Sequence, residues 1–273
     1  MPATMTAASS ATFAANRVAS RIAMTVGVQA GRSRCMRIYE DGALRVRFPN
    51  DEQLQAIVVN TAGGIAGGDR ISFDVTVEEG AGLTLTTAAA EKAYRSLGDD
   101  ATLDVALRVE RGATLHWLPQ ETILFNEARL ARSIEVDLAQ DARLLLAEAV
   151  IFGRTAMDEA VNEGKLVDSW RVRRGGKLVF ADTLRLDSKV ADQLARRAVA
   201  GGGCAVATVL LSPASDDRVT ALRALQFAGE VGLSSWNGIT LARLVARDGE
   251  ALRHDLKLVI THLAGTLPRI WLN

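Results

Sequence analysis

Val75-Thr-Val-Glu-Glu-Gly-Ala-Gly-Leu83, Leu107-Arg-Val-Glu-Arg-Gly-Ala-Thr-Leu115 and Val136-Asp-Leu-Ala-Gln-Asp-Ala-Arg-Leu144 follow one scheme. Each ends a strand, takes a two-residue polar step, turns at Gly-Ala or Asp-Ala and opens a new strand. The turn residues Gly80, Gly112 and Asp141 recur about every 30 residues, a spacing typical of stacked β units. Gly and Asp in the equivalent place suggest a backbone position with φ > 0. Spacing alone does not separate a solenoid-like stack from three ordinary hairpins in a sandwich.

Outward from these turns, the chain alternates apolar and polar residues with period two. Ile71 to Glu78 does so strictly, as do Leu103 to Glu110 and Ile134 to Leu138. Leu166–Val172 and Leu178–Leu186 flank Gly175-Gly176 and read as a hairpin. The pattern predicts half-buried antiparallel strands. Helical signals are confined to the C-terminal third. Ser215 can cap a helix with Asp216 and Asp217 in its first turn and Val219, Leu222 and Leu225 on one face. A second helix is predicted from Asp248 to about Leu263, ended by Gly265 and Pro268. The expected fold is therefore mainly β: stacked antiparallel or mixed sheets, β-helix-like or sandwich-like, with about two helices in the C-terminal third. Residues 1–31 are assigned to a disordered tail and 32–273 to a single β-rich domain; Gly201-Gly-Gly203 is the best internal linker candidate.

Composition narrows the function. The 273 residues carry 32 Lys+Arg and 32 Asp+Glu, so the formal net charge is zero. That argues against nucleic acid as the main partner. Two distant cysteines, Cys35 and Cys204, exclude a disulfide framework and suit a reducing compartment, with the cytoplasm the expected location. No apolar run approaches the roughly 18 residues of a membrane span. From Met1 to Tyr39 there is no acidic residue, a composition shared by transit peptides and disordered tails; the tail is favoured. A hydrophobic content of 48% with no net charge describes either a well-filled core or a subunit whose apolar surface faces a partner.

The glycine cluster Ala62–Arg70 fails as a nucleotide loop. Asp69 and Arg70 stand where a phosphate loop needs Lys and Ser/Thr, and a strand, not a helix, follows. Gly63, Gly64, Gly67 and Gly68 are read instead as shaping a structural or partner-facing loop, with Asp69 anchoring it by accepting backbone hydrogen bonds. His116, His254 and His262 are too scattered for a metal constellation, and no Gly-x-Ser-x-Gly elbow is present. What stands out is polar residues in apolar surroundings: Glu91, Lys92, Tyr94 and Arg95 after a Thr-rich strand, and Gln120 and Glu121 between two hydrophobic runs. Such groups form either buried ion pairs that only fix the fold or a wet groove lined by Glu and Thr.

Asn60–Arg70, Leu83–Ser96, Trp117–Phe125 (WLPQETILF), Ile151–Glu159 (IFGRTAMDE) and Leu267–Trp271 (LPRIW) together resemble the urease accessory protein UreD family, called UreH in some systems. The resemblance runs from about Arg32 to the C-terminus. Two departures are His116, where the family commonly has Glu, and Asp158, where a Gly is common. The resemblance implies a maturation scaffold and not an enzyme. It would bind the apo-urease subunits and a helical UreF-like partner, and through that complex a UreG-like GTPase. Together these deliver nickel to the urease active site. It implies no tightly bound cofactor and no tight metal site, since an ion in transit must leave as easily as it enters. Glu91, Glu121 and His116 are the residues expected along such a transient nickel path. The alternative is a β-rich enzyme using Glu91 or Glu121 as general base in a cleft.

Overall fold

A computed structural model describes residues 17–154, 157 and 159–272. Thr155, Ala156 and Asp158 therefore lie outside the described residues, as does most of the predicted tail. Its last part does not: residues 19–29 form a strand, β1 (Ala19–Gln29), with Ile22, Met24 and Val26 wholly or almost wholly buried. The boundary at residue 31 is therefore misplaced. The lack of acidic residues that suggested a tail says nothing against burial, because the Ile22-Met24-Val26 alternation carries its own apolar face.

Two sheets face each other. The first orders as β14-β13-β11-β8-β5-β1-β2, the second as β16-β17-β15-β12-β9-β6-β4-β3 with β10 (Thr122–Leu124) and β7 (Glu91–Ala93) beside it. In the first, β1, β5 (Arg70–Val77), β8 (Ala101–Val109), β11 (Arg129–Leu138) and β13 (Lys165–Arg174) run parallel. In the second, so do β4 (Gln55–Asn60), β6 (Gly82–Thr87), β9 (Thr114–Leu118) and β12 (Arg143–Phe152). Three repeated turns carry the chain from one sheet to the other: β5 to β6 at Gly80, β8 to β9 at Gly112, β11 to β12 at Asp141. Each strand then pairs with its counterpart in the next coil. Val75 lies beside Leu107 and Leu107 beside Val136; Leu83 lies beside Leu115 and Leu115 beside Leu144. The repeat is a solenoid, and the expectation of antiparallel strands is corrected for its body. Gly80 and Gly112 do sit at φ +69° and +63°, whereas Asp141 turns without a positive φ.

Antiparallel strands close the stack. β2 (Arg32–Asp41) returns on β1, β14 (Lys177–Asp187) on β13, β3 (Leu44–Arg47) on β4, and β15 (Ala205–Ser212) on β12. The glycines at 201–203 are thus no domain linker, since the strand that follows them joins the same sheet. Beyond β15, β17 (Ile239–Ala246) and β16 (Glu230–Trp236) extend it. Among the described residues there are three α-helices, the two expected and one short turn more: α1 (Val190–Leu194), α2 (Asp216–Arg223) and α3 (Gly249–Ala264). Asp248 caps α3 by accepting from the Ala251 N–H at 2.8 Å, and Gly265 ends it at φ +87°. One core fills the space between the sheets; a second lies between the outer face of the larger sheet and α2 and α3. Burying a Val or Leu side chain contributes about 1.5–3 kcal/mol, so each inward strand position adds to the adhesion between coils.

Candidate functional site between the sheets

The connection from β4 to β5 holds the glycine cluster. Asp69 accepts from the Val18 N–H at 2.9 Å and the Ala66 N–H at 2.8 Å. Tyr94 donates its hydroxyl to the Gly63 carbonyl at 2.9 Å, and a Cβ on Gly64 would meet the Tyr94 ring at 2.3 Å. Close packing against β7 (Glu91–Ala93) and the residues after it accounts for Gly64 and Gly67, and positive φ of +76° and +87° for Gly63 and Gly68, with no phosphate cradle needed.

Under this loop lies a cavity of about 240 Å³ between the sheets. Gly63, Ala89 and Lys92 form its exposed rim; Glu91 and Gln120 line its wall, and Trp117 and Glu148 lie deeper. The Asn60 amide donates to both oxygens of Glu91 at 3.1 Å. Burial pushes the Glu91 carboxyl upward, and the Asn60 hydrogen bond only partly offsets this.

At its inner end the cavity meets a buried charged network. Arg132 on β11 pairs with Glu148 on β12, and with Asp168 on β13 through Nε at 2.9 Å and Nη2 at 2.5 Å. Trp117 Nε1 donates to Glu148 at 2.8 Å and Trp170 Nε1 to Asp168 at 2.9 Å. All three charged side chains are almost wholly enclosed, which is tolerable because every oxygen and guanidinium nitrogen of the network has a partner. Burial pushes Glu148 up to about 7, against the pull of Arg132; the Asp168 charge reinforces the rise. On the far side a narrow pocket of about 30 Å³ shares Arg132 and Glu148 with the cavity and adds Asp168, Asp182 and Thr208. A third space shares Asp182 and Thr208 with that pocket and reaches the exposed Val199 and Arg243; Asp182 pairs with Arg243 at 2.7 Å. Glu91 and Glu148 thus line the first of these three spaces, Glu148, Asp168 and Asp182 the second, and Asp182 the third.

The residues expected along a path are not all brought together. Glu91 and Gln120 line the cavity. Glu121 is on the helix side, buried and held by Arg253 of α3 at 2.8 Å. His116 faces away from Trp117 on β9 and lines a different cavity of about 490 Å³ with Thr84, Thr114 and Arg32. Burial, then the charge of Arg218, push its imidazole down toward the neutral form. Arg95 pairs with Glu127 at the surface at 2.8 Å, and Lys92 is exposed, so neither forms the buried pair weighed from the sequence. Among the described residues no group of three or more His, Cys, Asp or Glu could hold a metal ion. Arg132, Glu148 and Asp168 were missed as a site. Their signal is a charge on an inward position of an apolar alternation: Arg132 between Leu130 and Ile134, Glu148 between Leu146 and Val150, Asp168 between Leu166 and Trp170.

The described residues form a capped two-sheet solenoid with a row of spaces between its sheets and a glycine cluster that is packed as a structural loop. The sequence profile described as UreD urease accessory protein matches residues 19–272. The protein named urease accessory protein UreD from Rhodopseudomonas palustris strain BisA53 is 52% identical over 276 residues, spanning 100% of this chain and 96% of the relative. Its counterpart from strain HaA2 is 53% identical over 272 residues, with 98% of each chain covered. The one from Bradyrhizobium diazoefficiens USDA 110 is 48% identical over 268 residues and 97% of each. The chain belongs to the UreD urease accessory protein family.

Proposed function

We propose that the chain serves urease maturation in the cytoplasm as a non-catalytic scaffold. It holds apo-urease and, through a UreF-like helical partner, a UreG-like GTPase, while nickel crosses its interior. The observation that carries the passage is the row of spaces between two surface rims with a carboxylate at each step, Glu91, Glu148, Asp168 and Asp182. Isolated carboxylate oxygens suit transit, because they hold a dication more loosely than thiolates or clustered imidazoles. A general base would need a convergent acid partner. Glu91 faces an amide, and Glu121 lies across the sheet under a guanidinium.

The test is co-expression with apo-urease subunits and the other accessory proteins, reading co-purification beside nickel-dependent activation. Glu91→Gln keeps size and the amide contact but removes charge, so activation should drop while the complex still assembles. Normal activation, or assembly and activation lost together, would remove Glu91 from the path.

A further inference from the structure

Arg132 stands where the route is narrowest. The cavity on the Glu91 side and the pocket on the Asp182 side share just two lining residues, Arg132 and Glu148. The guanidinium bridges a carboxylate of one sheet, Glu148, to a carboxylate of the other, Asp168, and so spans the gap between the sheets. A cation entering from the rim therefore meets a fixed positive charge before it can reach Asp168. In so dry a place that repulsion is strong. The way is shut for as long as Arg132 stays on Glu148.

We propose that Arg132 and Glu148 form a gate across the passage, opened when an entering divalent cation replaces the guanidinium on the Glu148 carboxylate. This rests on the passage reading above and adds the residues that hold the route closed. Exchange keeps the cost low, because one positive partner replaces another and Glu148 is never left bare. Trp117 Nε1, bonded to Glu148 at 2.8 Å, steadies the carboxylate while its partner changes. Asp168 keeps hold of the displaced Arg132. The cavity of about 240 Å³ before the gate holds a dication with several of its waters, at roughly 30 Å³ per water.

The experiment uses the full chain in the activation assay with its accessory partners. Glu148→Gln leaves Arg132 paired one-to-one with Asp168 but removes the exchangeable carboxylate. Above pH 7, where Glu148 is ionised, its melting temperature and co-purification should match wild type, while the rate of nickel-dependent activation falls by about tenfold or more, the scale of one lost charged hydrogen bond. A second variant separates this idea from the passage itself. Thr208→Leu fills the pocket beyond the gate without touching a charge. If an assembled Thr208→Leu complex activates at the wild-type rate, the passage reading fails and the gate with it. If Thr208→Leu slows activation while Glu148→Gln does not, the gate is overturned and the passage stands. Should Glu148→Gln fail to fold, the combined Arg132→Met, Glu148→Gln, Asp168→Asn chain replaces it, since swapping a whole ion network for uncharged side chains of like volume is tolerated. With the blocking guanidinium gone there is nothing left to exchange, so activation at least as fast as wild type is expected of the assembled complex, and a tenfold loss overturns the gate.

Discussion

At the scale of single residues, Glu148 couples stability to pH. Its carboxyl sits near 7 when folded, against 4.5 for an ordinary Glu. Between those values the folded chain keeps a proton that the unfolded chain releases. The stability this group contributes is therefore complete below about pH 4.5 and is lost as pH rises through 7, by up to about 3 kcal/mol. Urea unfolding of wild type and Glu148→Gln across that range should show wild type losing ground to the variant as pH rises. A pH-independent difference would mean that Arg132 keeps Glu148 ionised throughout. Gly64 tests the glycine loop: at φ +155°, with the Lys92 carbonyl 2.7 Å and the Tyr94 ring 2.3 Å from an added Cβ, Gly64→Ala should cost about 1–3 kcal/mol. Thermal unfolding measures it, and Gly63→Ala, where a Cβ meets nothing, is the control for backbone strain alone. The loop was legible in the sequence because Asp69 and Arg70 spoil a phosphate cradle. The charged network was not. Alternation could place Arg132 inward, but its meeting with Asp168 depends on strand register, and Glu148 arrives from the opposite sheet.

At the scale of elements, the C-terminal segment seals the helix layer. Trp271 is fully buried, and its indole N–H donates to Thr86 Oγ1 at 3.0 Å and the Leu118 carbonyl at 3.2 Å. Arg253 of α3 lies 5.5 Å from its ring while gripping Glu121, so one arginine ties helix, sheet and tail together. Trp271→Ala should lose about 3–5 kcal/mol, and Trp271→Phe distinctly less, by chemical denaturation. Equal losses would assign the effect to the indole hydrogen bonds and not to the filled volume. The elements themselves were largely readable: period-two alternation placed β5, β8, β11, β13 and β14, and Asp248 with Gly265 bounded α3. Strand direction was not readable, because alternation looks the same whichever neighbour a strand chooses. A Gly-Ala turn between two strands fits a hairpin and a solenoid corner equally well.

At the scale of the whole molecule, zero formal charge combines with exposed Met36, Tyr39, Leu97 and Met157. With no net repulsion between copies, the isolated chain should self-associate in physiological salt, and a helical partner covering apolar surface should restore a dispersed species. Light scattering and sedimentation with and without that partner decide it; a concentrated, stable monomer alone would refute the expectation.

The returning strands at both ends of the stack have a consequence of a different kind. In a run of parallel coils the last coil presents the same surface its neighbour presents, so an unfinished stack is a template for its own filament. Here the first sheet ends on the reversed strands β2 and β14, and the second is turned back at β3 and β15. The β2 edge also carries Arg32, Arg34 and Arg37 and a break in register, which refuse a second copy. Polymer growth is thus stopped independently of how many coils lie between the ends. The number of coils becomes a quantity that evolution can change freely: one more would lengthen the space between the sheets by a strand spacing and leave both terminations, and the protection they give against edge-to-edge growth, as they are.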